Sequence, residues 1–293
     1  MIRFIKRIII SLRIFINKKK EPFFSFWWML NYIRNGYYFP SYNKQNYKRS
    51  IILHDLPTGK FVSYNGDRIA YPGSWTNDLI LNNFNNLINE QTGIEHNVNP
   101  HKYYSIGEFD KNWIVYDIGA AEGWQSKSWI KFVKQIVIFE PLPSFFRQLK
   151  KTFSKEVDEG KVILVNCGVS DTKKEVIMEN ESIIFNSLQA LISNYNLPSP
   201  DYIKADIEGE EMNFLTSSKE IFDQKTIKSI QITTYHRPKD YIDIPDYFKQ
   251  FKGQGSFSKG IVVFNRDGLI PGHYRKKMYH PIFRKCLYTF KFS

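Results

Sequence analysis

Three acids and a histidine stand where proton chemistry is available. Asp206, Glu208 and Glu210 close the run Asp201-Tyr202-Ile203-Lys204-Ala205, and His236 closes the run from Ile227. Strand alternation puts Lys204 and Asp206 on one side and Ile203, Ala205 and Ile207 on the other. Like charges this close raise one another's pKa, which suits Asp206 to accept a proton. A histidine at a strand end with a carboxylate nearby is a general base near neutral pH. Neighbouring parallel strands lie about 4.8 Å apart, so Asp206 and His236 are expected to face one substrate. Either is a candidate base, and Glu208 is its partner or a hydrogen-bonder to substrate. Glu210 and Glu211 fall at a helix start, where acids favour the dipole. Tyr235, Trp124 and Arg237 are candidates to line an acceptor pocket. Asp206, Glu208 and His236 offer ligands to a divalent cation, but no H-x-x-x-H or paired-acid spacing compels one, and no metal is assigned.

A ligand site is expected one step earlier in the chain. Asp117-Ile118-Gly119-Ala120-Ala121-Glu122-Gly123 follows a buried apolar run and opens a helix. Gly119 and Gly123 permit backbone geometry and close approach that a side chain forbids. The helix N-terminus offers unpaired N–H groups to a ligand. Glu140 ends the next strand, where an acid accepts both hydroxyls of a ribose. Asn166-Cys167-Gly168-Val169 closes a third strand, and small residues there leave room for a flat ring. Asp117, Gly119, Ala120, Gly123, Glu140, Asn166, Gly168 and Val169 are thus the candidate cofactor-binding residues, and Cys167 reads as a buried small residue. Gly119→Val is expected to abolish cofactor binding and spare the fold.

The elements that must position these groups alternate between strand and helix from Asn112 onward. WIVYDIG, QIVIFEP, KVILVNCGVS, DYIKADIEG and IKSIQITTYHRP read as strands. Gln125–Val133, Ser144–Phe153 and Met212–Leu215 read as helical. The tail GSFSKGIVVFNRDGL suggests two antiparallel strands. Short connections imply a parallel sheet with helices on both faces. Upstream, Asn65-Gly66 marks a hairpin within Phe61–Gly73. A helix follows, capped by Ser74 or Thr76, with Leu79, Ile80, Phe84, Leu87 and Ile88 on one face and Gly93 at its end. Residues 36–60 and 94–107 read as irregular. Residues 1–60 form an extension and 61–293 a catalytic domain: hairpin and helix at 61–107, core at 112–238, terminal strands at 255–270, then a tail.

The 293 residues are 42% hydrophobic and 24% charged, which excludes a disordered chain. Cys167 and Cys286 are the sole cysteines, too few for a disulfide framework, and point to a reducing, cytoplasmic compartment. The net charge is +12, and the first 20 residues hold seven basic side chains and no acid. They form a basic amphipathic helix, with no apolar run long enough to span a bilayer. Pro22 breaks it, and the aromatic stretch Phe23–Ile33 suits a headgroup boundary. Residues 1–33 thus suggest peripheral membrane contact, or packing on the catalytic domain or a partner subunit. No nucleic-acid-binding module is recognisable, so nucleic acid is not expected as a partner.

The strings VYDIGAAEG, FEPLPSFFRQL, VILVNCGVSD and YIKADIEGEEMNFL, then the strand ending in YH, resemble the FkbM-type methyltransferases of the class I S-adenosylmethionine-dependent enzymes. The resemblance covers about residues 112–237. It implies an α/β fold with a mostly parallel seven-stranded sheet and a reversed final strand. It also implies S-adenosylmethionine as cofactor, and an O-methyl product on an acceptor such as a glycan sugar or a small-molecule hydroxyl. Asp117 corresponds to the acid closing strand one, Gly119 and Gly123 to the glycine loop, Glu140 to the ribose acid, and Asp206 and Glu208 to the strand-four acids. Two positions depart: Ala121 replaces the usual Asn, and Thr234 replaces an acid two residues before the histidine. Two other readings share part of the pattern. An NAD-linked oxidoreductase would want G-x-G-x-x-G where this chain has G-A-A-E-G. A non-catalytic membrane-surface or scaffold protein would not need Asp117, Glu140 and Asp206 together.

Overall fold

The computed structural model describes residues 2–36, 45–57, 59–92, 99–104, 106–178, 181–224, 226–264 and 280–293. Helices α1 (Ile2–Ile16) and α2 (Phe26–Asn35) open the chain. Strands β1 (Ile52–Leu56), β2 (Gly59–Tyr64) and β3 (Asp67–Tyr71) form a small antiparallel sheet, followed by α3 (Asn77–Thr92). Then come β4 (Ile114–Ile118), α4 (Trp124–Trp129), β5 (Gln135–Phe139), α5 (Pro143–Thr152), α6 (Ser154–Asp158) and β6 (Val162–Val165). A second small sheet holds β7 (Gly168–Ser170), β8 (Lys174–Met178) and β9 (Glu181–Ser187), and α7 (Leu188–Tyr195) follows. The chain continues through β10 (Tyr202–Ala205), α8 (Glu211–Ser217), α9 (Lys219–Asp223), β11 (Ser229–Thr233), α10 (Asp240–Phe248) and β12 (Gly253–Phe257). Strands β13 (Val262–Val263), β14 (Phe283–Arg284) and β15 (Leu287–Phe292) complete it.

The main sheet has seven strands in the order β12-β15-β11-β10-β4-β5-β6. Strands β6, β5, β4, β10 and β11 run parallel, and β15 runs antiparallel to both β11 and β12. This is the α/β architecture with a reversed strand that the sequence resemblance implies. The inner strands β4, β5, β10 and β11 are buried on both faces, as a parallel sheet between helices requires. Their alternation feeds two cores. Val137, Phe139, Ile203 and Ala205 face the side of α7, α8 and α10, and Ile136, Ile138 and Tyr202 join Trp129, Leu149 and Phe153 on the other.

The hairpin at Asn65-Gly66 is present, with Tyr64 opposite Asp67 and positive φ at both turn residues, the geometry of a primed turn. Thr76 is the α3 cap: its hydroxyl accepts from the Leu79 amide at 3.2 Å. Several expectations are corrected. Ile52–Leu56 is a strand, because its pairing with β2 is set by the hairpin partner, not by its own mixed composition. Leu79 is exposed, since Ile80, Phe84 and Ile88 turn toward the small sheet instead. Helix α4 stops at Trp129, where the chain turns to place the Lys134 amide on the Trp113 carbonyl at 2.9 Å. KVILVNCGVS breaks in two: β6 stays in the main sheet, and β7 leaves it to pair with β9. The antiparallel strands of the main sheet's edge are β12 and β15, while Val262–Val263 pairs with β14. Gly93 and residues 94–98, 105 and 265–270 lie outside the described residues.

Helix α3 offers a stability test of its assigned face. Phe84 is fully buried and meets Trp124 edge-on at 5.5 Å. Phe84→Ala should cost about 3–5 kcal/mol in urea unfolding. Leu79→Ala should stay within about 0.5 kcal/mol of wild type, and equal losses would contradict the face assignment.

Candidate active site

The turn after β4 is built by exclusion. Gly119 has φ +79°, and a Cβ there would lie 1.9 Å from the Asp206 carbonyl oxygen. Glycine therefore lets β4 and β10 close on each other. Gly119→Val should disrupt that junction, so the expectation of a spared fold is corrected. Gly123 has φ +76° and caps α4, and a Cβ there would meet Leu149 and Phe153. Ala121 holds φ +49° without being glycine, a conformation that Asn tolerates better than Ala.

Beneath the turn lies a buried cation. The Lys204 ammonium is 2.9 Å from Asp117 Oδ1 and donates to the Gly119 carbonyl. Burial disfavours its charge, but Asp117 and Asp206 outweigh that and raise its pKa. Asp117 is fully buried, and its other oxygen accepts from the Ser126 hydroxyl at 2.6 Å. Asp117 is thus a brace between β4, β10 and α4.

Gly119, Glu140, Gly168, Val169, Asp206 and Glu208 line one cavity of about 290 Å³, at the C-terminal edge of the parallel strands. Its walls are otherwise apolar: Ile118, Phe139, Leu142, Phe145, Ile183 and Phe185. Phe185 and Ile183 come from β9, a strand that sequence patterning did not signal. Glu140 accepts from the Ala121 amide at 2.8 Å and the Leu142 amide at 2.9 Å. Burial pushes its pKa up to about 7, against the pull of those two amides. A carboxylate has about four lone-pair sites, so two remain for ligand hydroxyls. Asp117, Ala120, Gly123 and Asn166 do not line the cavity. Ala120 packs against the core that holds Trp129, and Asn166 donates to the Glu140 and Pro141 carbonyls, fixing the β5 end. These four position the site from behind it.

Asp206 and His236 do come together. Asp206 Oδ1 is 3.6 Å from His236 Nε2, and Glu208 Oε2 is 3.5 Å from the same nitrogen. Glu208 sits at φ +53°, a strained backbone of the kind that collects at functional sites. His236 Nδ1 meets Glu211 Oε1 at 2.7 Å, and Glu211 also accepts from the Thr233 hydroxyl at 2.9 Å. Burial alone would lower the His236 pKa, but Glu211, with Glu208 and Asp206, carries it to about 10. His236 is therefore an imidazolium at neutral pH, not the expected base. The expected rise in the Asp206 pKa is also corrected. Burial favours its neutral form, yet His101 and His236 hold its carboxyl well below the ordinary range. Tyr103 donates to Asp206 Oδ2 at 2.9 Å, and His101 Nε2 lies 3.4 Å away. Neither was legible, because both lie on a loop without periodicity. Asp206, Glu211 and His236 offer ligand atoms within 4.8 Å of one another, the spacing of a metal-ligand set. Protonated His236 already places a positive charge in their midst.

The remaining candidates point elsewhere. Thr234 turns its hydroxyl to the Lys285 and Cys286 carbonyls. Trp124 packs in the core of the small N-terminal sheet. Glu210 ties Lys174, at 2.8 Å, and Asn213 to the Ser170 hydroxyl, joining β7, β8 and α8. Arg237 approaches Glu210 at 3.8 Å, and the Tyr235 hydroxyl lies 3.3 Å from His101 Nε2.

Comparison with known proteins finds similarity over part of the chain. Residues 117–255 match the methyltransferase FkbM domain. A methyltransferase FkbM from Methylobacillus flagellatus KT has a similar structure, with a TM-score of 0.47 and 19% identity; the match covers 62% of this chain and 44% of that chain. A precorrin-6Y C5,15-methyltransferase from Geobacter metallireducens GS-15 matches at 0.38 and 13% identity, covering 63% and 83%. A Streptococcus mutans protein in complex with SAH matches at 0.37 and 16%, covering 64% and 92%. No protein of curated function matches the chain.

Two outcomes follow from these charges. The His236 contribution to stability is complete below its unfolded pKa of about 6.5 and is lost as pH rises through about 10. Urea unfolding should therefore show stability falling between those values, by up to about 1.4 kcal/mol per pH unit, and His236→Gln should flatten the slope. For Glu140, the ionised form alone leaves both oxygens free of a proton to accept from ligand hydroxyls. Calorimetric affinity for S-adenosylmethionine should rise as pH passes through about 7. Glu140→Gln should lower affinity roughly tenfold and erase that step.

Proposed function

With a methyltransferase FkbM domain at residues 117–255 as the premise, we propose that the protein is an S-adenosylmethionine-dependent O-methyltransferase acting on a sugar hydroxyl of a glycan, glycolipid or natural product. The observation that carries the reading is the single cavity that unites Gly119, Glu140, Val169, Asp206 and Glu208. Its donor set fits the cofactor. An apolar slot between Val169, Phe185 and Leu142 suits a flat base, Glu140 suits a ribose, and Asp206 with Glu208 suits a positive charge. The sugar acceptor rests on the family resemblance. A cytoplasmic setting accords with Cys167 and Cys286, both buried free thiols.

When bound, S-adenosylmethionine supplies an electrophilic methyl group on a positively charged sulfur. The chain supplies position and charge. Alignment of reacting atoms is worth up to about 7–11 kcal/mol in well-oriented systems. Asp206 is ionised and braced by Tyr103 and His101, so its free lone pairs can accept a hydrogen bond from the acceptor hydroxyl and hold that oxygen in line. Its depressed pKa makes it a late proton acceptor, useful once the hydroxyl has become strongly acidic by bonding carbon. His236 donates its Nδ1 proton to Glu211 and faces Asp206 and Glu208 as a fixed positive charge. It orients the two carboxylates and does not take the proton.

A labelled-methyl assay across glycan and lipid fractions tests the reading. Transfer to a sugar hydroxyl is expected, with Asp206→Asn lowering kcat/KM at least about 100-fold. Calorimetric heat with NAD and none with S-adenosylmethionine would favour an oxidoreductase. Heat with neither would favour a scaffold.

A further inference from the structure

The N-terminal hairpin carries two faces with different fates. Helices α1 and α2 run antiparallel: Arg7 of α1 donates to the Ile33 carbonyl near the α2 C-terminus, and Phe15 meets Phe24 across the bend. On one face, Ile14, Met29 and Tyr32 are buried against Ile261, Val263, Ile282 and Phe283. Glu21 in the bend is buried, and its carboxylate accepts from the Ile282 amide at 2.8 Å and the Phe283 amide at 2.9 Å. The next residue, Arg284, donates to the Tyr235 carbonyl at 2.6 Å and the His236 carbonyl at 3.2 Å. The hairpin is thus bonded to the strand end that carries His236. Packing explains this face.

It does not explain the other. Ile5, Ile9, Leu12 and Ile16 recur at the spacing of a single helix stripe, and all four are exposed. At the start of α2, Phe26 and Trp27 are exposed too, Trp27 by 79%. Scattered apolar residues need no explanation, but an exposed stripe along one helix, with two exposed aromatics opening the helix packed beside it, marks a contact surface. Lys6 and Arg13 flank the stripe, and Lys18, Lys19 and Lys20 are exposed at the bend. No acid lies within the first 20 residues. A second copy of the chain would bring the same basic rim against itself, whereas anionic headgroups complement it. Helix α1 has 15 residues, about 22 Å, short of a bilayer core of about 30 Å. None of the described helices is long and apolar enough to cross a membrane.

We propose that this exposed face lies in the surface of an anionic lipid bilayer, apolar stripe inward and lysines at headgroup level. The hairpin then holds the His236 end of the sheet at a fixed attitude to the membrane. The inference is independent of the methyl-transfer reading, because vesicle binding needs no cofactor or acceptor.

The test is cosedimentation of the full chain with phosphatidylcholine vesicles, with or without about 30% phosphatidylglycerol. Binding is expected to the anionic vesicles, to be weaker to the neutral ones, and to fall with salt. The double variant Leu12→Glu/Trp27→Glu changes exposed positions and should keep the wild-type melting temperature while binding at least tenfold more weakly. Three results would overturn the proposal: no binding of wild type to anionic vesicles, equal binding by the variant, or light scattering that shows a wild-type dimer broken by the same substitutions.

Discussion

A buried lysine sets the geometry of the site. Lys204 crosses from β10 to β4, pairs with Asp117 at 2.9 Å and donates to the carbonyl of Gly119. Removing either partner from such a pair would leave an uncompensated buried charge, at about 3–5 kcal/mol. The pair therefore pins the glycine turn above it, and the turn admits no side chain because the Asp206 carbonyl already fills the space. One ion pair thereby fixes the floor of the cavity and the backbone of the acid at its mouth.

Charge in this site is organised from the inside outward. The lysine compensates Asp117 below, and Glu211 holds the His236 proton beside Thr233. Asp206 and Glu208 stand between these buried cations and the cavity. Under the proposed function, a cationic sulfonium there meets an Asp206 carboxylate that His101 and His236 already hold ionised and oriented. Electrostatic preorganisation of this kind needs no reorganisation at the moment of reaction.

Much of this was legible in the residues. WIVYDIG and QIVIFEP are short runs rich in β-branched and aromatic residues, closed by glycine and by proline, so their strands and the placement of Gly119 and Glu140 at strand ends follow from pattern and punctuation. The role of Lys204 was half legible: alternation put it beside Asp206, but not beneath the turn. The pKa directions of Asp206 and His236 were not, because each is set by residues far away in sequence. Tyr103 and His101 reach Asp206 from an unpatterned loop, and Glu211 reaches His236 across 25 residues. Strand β9, which brings Phe185 and Ile183 to the cavity, carries mixed polar residues and pairs with β7 only because the chain bends out of the main sheet at Asn166 and Cys167. Composition marked the N-terminal segment as basic and amphipathic. Which of its faces is buried depends on Ile282 and Phe283 at the other end of the chain.

A crystal structure with S-adenosylhomocysteine is the sharpest test of the cavity. The base is expected between Val169 and Phe185, the ribose on Glu140 and the sulfur turned toward Asp206. Ligand density outside that cavity, or within it with the ribose remote from Glu140, would overturn the assignment.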